Sequence, residues 1–242
     1  MPVRPFALAA AFAAASLVVA QEPKEAKEAK EAKEPKGPKA ADKGEPVPGR
    51  KLKKIEGFTF LLSEEAAGVD PAGYDRPPLA VLERECARVN RVLSPKAAEA
   101  LHKLTIWVDW DDKVPFANGR PGNTVATYSS NTPQQNVLAG RHALQAKTIT
   151  IHSLKEMTRH RQPKDDHRVW PIFLHELAHA VHDQVLGFDH PGVRAAFEQA
   201  MERRLYDREL YATTDNREFF AELSCAYLDT QFHYPHTRAD LK

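Results

Sequence analysis

Pro171-Ile172-Phe173-Leu174-His175-Glu176-Leu177-Ala178-His179-Ala180-Val181-His182-Asp183 is the stretch on which the reading of this chain turns. It has the pattern of one helix. Pro171 suits a first turn, where its missing N–H would have had no partner, and Gly187 supplies a stop. His175 and His179 are four residues apart, so their imidazoles project from one face, one turn apart. That spacing lets both reach one tetrahedral zinc ion. Glu176 is turned about 100° from His175 and can take a proton from a water held there. Ile172, Phe173, Leu174, Leu177, Ala178, Ala180 and Val181 are uncharged, as a helix beneath a dry site requires. The competing reading is a core helix whose two histidines are neutral and hydrogen-bonded.

The H-E-x-x-H pattern is that of zinc peptidases, and a catalytic zinc needs a third protein ligand plus an open position. A third histidine ten residues after the first is absent, because that position is Val185. His182 lies near the same face and competes, but three ligands from two turns of one straight helix make poor tetrahedral geometry. Glu218 is the better candidate, 39 residues after His179 in a second helical stretch. Its alternative role is local, since Asp215-x-x-Glu218 is also a capping-box pattern.

Glu218-Phe219-Phe220-Ala221-Glu222, with Tyr211 seven residues before Glu218, resembles the gluzincin metallopeptidases of the anthrax lethal factor type, as does His175-Glu176-x-x-His179. The likeness covers these two segments and, more loosely, residues 147–228. It implies that His175, His179 and Glu218 bind Zn2+ and that Glu176 is the general base. It further implies that Tyr211 aims its phenol at a developing oxyanion and that Glu222 orients a zinc histidine. Tyr211 can otherwise be read as an interface tyrosine and Glu222 as a surface or capping carboxylate. His182 stands where that family carries an acidic residue. The implied activity is that of a zinc-dependent metallopeptidase acting on a peptide or protein substrate. A non-catalytic zinc-binding or protein-binding module on the same fold is the alternative, and a structural envelope protein is the third class.

The front of the chain is of other material. Arg4 and the apolar run over residues 6–15 read as a secretory signal, with Val18-Val19-Ala20 leading to cleavage before Gln21. This predicts a secreted or periplasmic protein with no membrane span in the mature chain. Residues 21–50 hold Lys-Glu-Ala repeats followed by prolines and glycines, with eight Lys or Arg against seven Asp or Glu. Such a segment cannot bury a core and reads as a solvated linker. Residues 51–242 then form one catalytic domain. The net charge of +1 and the lack of a basic patch exclude nucleic acid as a partner. Cys86 and Cys225 are the two cysteines, free to pair if the protein is exported.

Within the domain, the alternation at residues 57–62, 104–110, 124–128 and 147–152 predicts strands. Pro77-Pro78 opens a helix burying Leu79, Leu82, Cys86, Val89 and Leu93, and Ser94 caps another that begins at Pro95. Asp109, Asp111 and Asp112 lack calcium-loop spacing and read as a solvated strand end. By analogy with zinc peptidases, residues 147–152 are the sheet edge that pairs with substrate. Residues 159–168 read as a polar loop or lid, with His160 and His167 exposed. A turn at Phe188-Asp189-His190-Pro191 leads into a helix over residues 192–206. The expected architecture is α+β, a small mixed sheet packed on helices in a zincin-like arrangement.

Overall fold

The computed structural model describes residues 47–242 except 75–76, 116–121, 160–170, 229–230 and 232. The signal-like segment, nearly all of the charged linker, and His160 and His167 lie outside the described residues. The fold is α+β. Strands β1 (Arg50–Ile55) and β2 (Phe58–Ser63) lead to helices α1 (Glu64–Gly68), α2 (Pro78–Val92) and α3 (Pro95–Leu101). Then come β3 (Thr105–Val108), β4 (Ala126–Tyr128), α4 (Pro133–Leu138), β5 (Ile149–Ile151) and α5 (Leu154–Arg159). Helices α6 (Ile172–Val181), α7 (Pro191–Glu202) and α8 (Asn216–Leu228) complete the chain. No helix among the described residues is long and apolar enough to cross a membrane.

The five strands form one mixed sheet in the order β1-β2-β3-β5-β4. The central strands β2, β3 and β5 run parallel, while β1 and β4 run antiparallel to their neighbours. The sequence reading is corrected here: β5 lies between β3 and β4, so the edge beside the histidine helix is β4. Side-chain alternation sends Phe58, Phe60, Leu62, Ile106, Val108, Ile149 and Ile151 to one face. They form one buried core with α2 and α6. Phe173 of α6 packs edge-on against Phe58, 5.1 Å between ring centres. On α2, Val81 is buried in the place expected for Leu79, which is only partly covered. Cys86 and Cys225 are separate, buried free thiols.

Strand β1 begins inside the segment read as linker. Its sequence, Arg50-Lys51-Leu52-Lys53-Lys54-Ile55, exposes the middle four residues, so no apolar alternation marks it. Charged edge strands of this kind resist pairing with other chains. Its register is set by the turn at Glu56 and Gly57, with φ of 50° and 92°, the pair of left-handed residues that a tight hairpin turn needs. His102 closes the turn. Its Nε2 lies 2.9 Å from Asn90 Oδ1, and Asn90 Nδ2 donates to Glu56 O at 2.8 Å. A Cβ on Gly57 would collide with the His102 ring. Gly57→Ala is therefore expected to cost about 1–3 kcal/mol in urea unfolding. Unchanged stability would show that this turn does not hold β1.

Candidate metal centre

Helix α6 is buried along its whole length. It runs directly into a wider π-turn, His182–Leu186, and stops at Gly187, whose φ is 81°. A buried helix must satisfy its polar side chains from neighbouring elements, and α8 and β4 supply partners to α6.

The i,i+4 spacing brings the rings of His175 and His179 edge to face at 4.7 Å. Their Nε2 atoms are 3.1 Å apart. Glu218 reaches them from the first turn of α8, with Oε2 at 3.1 Å from His175 Nε2 and 3.4 Å from His179 Nε2. The two readings of Glu218 are separated by geometry. Asp215 Oδ1 caps α8 by accepting from the N–H groups of Arg217 (2.8 Å) and Glu218 (2.9 Å). The Glu218 carboxylate turns instead to the histidines. These three side chains form a group able to hold a metal ion, with ligand atoms all within 4.8 Å of one another.

Charge supports the fit. His175 Nδ1 lies 2.9 Å from Glu222 Oε1, and Glu222 is 2% exposed. A proton on Nδ1 for that carboxylate leaves the Nε2 lone pair facing the cluster. Glu218 Oε2 is buried, with only the two histidine Nε2 atoms beside it. Three electron-rich atoms facing one another call for a cation. Without a metal ion the cluster's negative charge favours a proton on His175 instead, which a bound cation would displace. Burial lowers the His175 pKa, but hydrogen bonds to Cys225, Glu218 and Glu222 outweigh it and hold the ring well above its usual range. Burial raises the Glu218 carboxyl, and the two histidines pull it far below the usual carboxylate range.

Glu176 points elsewhere. Its Oε2 accepts the backbone N–H of Tyr128 on β4 at 2.6 Å. Tyr128 is itself clamped. Its hydroxyl donates to Asp183 Oδ2 at 2.8 Å and accepts from Gln184 Nε2 at 3.0 Å. Lys147 Nζ also binds Asp183 Oδ2, at 2.6 Å, and Gln184 Nε2 reaches Lys147 O at 3.1 Å. Sequence reasoning missed Tyr128, Asp183 and Gln184, because no spacing ties a strand at residue 128 to a turn at 183. Tyr211 lies in a short 3-10 turn, Tyr211–Thr213. Its ring lies alongside His175 with 6.0 Å between centres, while 47% of the residue is exposed. Burial and then the Glu218 charge raise its phenol pKa, so the hydroxyl stays protonated and can donate. Gln231 was also missed. It is buried and donates from Nε2 to Glu222 O (3.0 Å) and Pro235 O (2.8 Å), fixing the end of α8.

No protein-family model matches the chain, and no curated protein or solved structure matches it. The reading of the site therefore rests on its own geometry.

His182, the competing ligand, is set apart. Its ring packs between Phe188 at 5.1 Å and Phe220 at 4.7 Å. It is fully buried, and neither ring nitrogen has a hydrogen-bond partner. Burial, reinforced by His179, Arg217 and His190, lowers its pKa from 6.5 to about 4. The unfolded chain therefore binds this proton first as pH falls. The contribution is fully present above pH 6.5 and is lost between 6.5 and about 4. Its full size is about 3 kcal/mol. Urea unfolding in chelator should show wild type losing about that much relative to His182→Leu between pH 7 and pH 4. Parallel pH profiles would show that His182 does not titrate in this way.

Proposed function

We propose that the chain is an exported zinc-dependent peptidase that hydrolyses peptide bonds, similar to the gluzincins in its chemistry. The observation that carries this reading is the convergence of His175, His179 and Glu218, with Glu176 next to the first ligand on the same buried helix. Tetrahedral zinc with nitrogen and oxygen ligands near 2.0–2.1 Å sets those atoms about 3.3–3.4 Å apart. The three separations of 3.1, 3.1 and 3.4 Å suit that geometry. Export rests on the apolar run over residues 6–15 and the small residues before Gln21.

Zinc held there would polarise a scissile carbonyl and acidify a water. The chain's own residues supply the rest. Glu176 Oε2 is held by the Tyr128 N–H, which steadies the carboxylate while it takes a proton and later passes it to the leaving amine. Tyr211, its ring stacked beside His175, would donate its phenol proton to the carbonyl oxygen as its charge grows. Glu222 keeps the His175 proton on Nδ1.

The substrate's backbone has a place to lie. Ser129 N–H donates to Thr148 O and His152 N–H to Val125 O, both at 2.8 Å. The peptide groups of residues 125, 127 and 129 thus face β5, and those of Ala126 and Tyr128 face outward. An extended peptide adding a strand here would pair with the N–H and C=O of Ala126.

Two substitutions test the reading on a broad peptide library. Glu176→Gln should retain zinc and abolish hydrolysis. Tyr211→Phe should lower kcat by roughly 10²–10³-fold with little change in KM, since the bond forms only as charge develops. If zinc-loaded wild type cuts nothing in the library, a binding module is favoured. If wild type cuts and Tyr211→Phe keeps full kcat, Tyr211 only packs on His175.

A further inference from the structure

The sheet has a second face, turned away from the helices. Trp107 and Thr150 point to it by strand alternation, and both are buried, at 2% and 4% exposed. A cavity of about 620 Å3 lies over them, within the range of about 300–1,000 Å3 usual for small-ligand sites. The core that joins the sheet to α6 lies on the opposite side, so this groove is separate from the candidate zinc centre.

Its lining carries both signs of charge: Glu65, Asp109, Asp111 and Asp112 with Arg50 and Arg141, beside His142. Part of this charge is already used. Arg50 Nη1 pairs with Asp109 at 2.8 Å, and Lys113 and Lys155 both pair with Asp111, at 2.5 and 2.8 Å. Those three cations remove the negative charge that a divalent metal would need. Asp112 remains, its side chain 57% exposed and 3.8 Å from His152 Nδ1. Arg141 makes no ion pair among the described residues. Glu65 also lines the groove and is exposed, so Asp112 and Glu65 are its free carboxylates and Arg141 its free cation.

Unmet hydrogen-bonding groups line the same space. Trp107 Nε1–H, a donor only, is buried without an acceptor. His152, 5% exposed, has Nε2 2.9 Å from Thr127 Oγ1 and no hydrogen bond at Nδ1. His142 Nδ1 accepts from Leu144 N–H at 3.1 Å, which places its proton on Nε2, free to donate. The Trp107 ring lies beneath the groove, covered by the Arg50 guanidinium 5.0 Å and the His142 ring 5.2 Å from its centre.

We propose that this groove binds a short zwitterionic peptide. Its ammonium group faces Asp112, and its carboxylate faces Arg141 and His142. A ligand with opposite charges at its two ends meets free charge of both signs at once, which neither a simple anion nor a simple cation does.

The test is calorimetric titration of the full chain carrying Glu176→Gln, so that no turnover consumes the probe. The probes are alanyl-phenylalanine, its N-acetyl derivative and its C-terminal amide. The free dipeptide should bind saturably, and either block should weaken it about tenfold or more, the worth of one charge-assisted contact. Asp112→Asn should weaken the free dipeptide by a similar factor and leave the N-acetyl derivative unchanged. Arg141→Gln should do the same for the free dipeptide and spare the amide. Both residues are exposed, so neither substitution threatens the fold. His179→Ala should change nothing. Absence of saturable binding overturns the proposal. So does binding that survives both groove substitutions but is lost with His179→Ala, because the peptide would then sit at the histidine cluster. The readout needs neither metal nor hydrolysis, so this proposal and the peptidase reading fail separately.

Discussion

The complete burial of α6 is the constraint from which the rest of the site follows. A helix sealed between the sheet and α8 carries His175, Glu176, His179 and, just beyond it, His182. Buried polar groups without partners each cost on the order of 1–3 kcal/mol, and charged ones more. The surrounding elements answer them one by one. Helix α8 brings Glu218 and Glu222 to the two histidines, and β4 brings a backbone N–H to Glu176. His182 receives only aromatic rings. The three answered groups are those that the proposed chemistry needs, and the unanswered one stands outside it.

The same packing couples the sheet to the site. Tyr128 ends the edge strand, donates to Glu176 from its backbone, and is locked by its hydroxyl to Asp183 and Gln184. These last two sit in the π-turn that continues α6, and such turns are frequent at functional sites. A widened turn advances the chain differently from a regular helix. Here it coincides with Asp183 and Gln184 facing β4 across the sheet edge. The carboxylate read as a base and the strand read as a substrate track are therefore held as one unit.

The sequence made some of this legible and hid the rest for physical reasons. The histidine helix was readable because i,i+4 geometry is local, and its stop at Gly187 followed from the same logic. Glu218 was readable as a candidate ligand but not distinguishable from a capping residue, because both roles share one spacing. Only the direction of its carboxylate separates them. The helices that begin at Pro78 and Pro95 emerged as expected, with Ser94 as the cap of the second. Strand β1 was hidden because both of its faces are largely solvated, so its lysines gave it the look of linker. The edge was assigned to the wrong strand because order in a sheet is a tertiary property. Residues 126–128 reach the edge by crossing over β5, which follows them in the chain. The Tyr128–Asp183 pair spans 55 residues, and no periodicity carries that far.

Metal content tests the central claim most directly, that His175, His179 and Glu218 form one zinc site. Elemental analysis of the purified full chain should find about one zinc per chain in wild type, in Glu176→Gln and in His182→Ala. His179→Ala and Glu218→Ala should lose it while remaining folded by circular dichroism. Equal zinc in wild type and His179→Ala would contradict the account. So would loss of metal in His182→Ala together with its retention in Glu218→Ala.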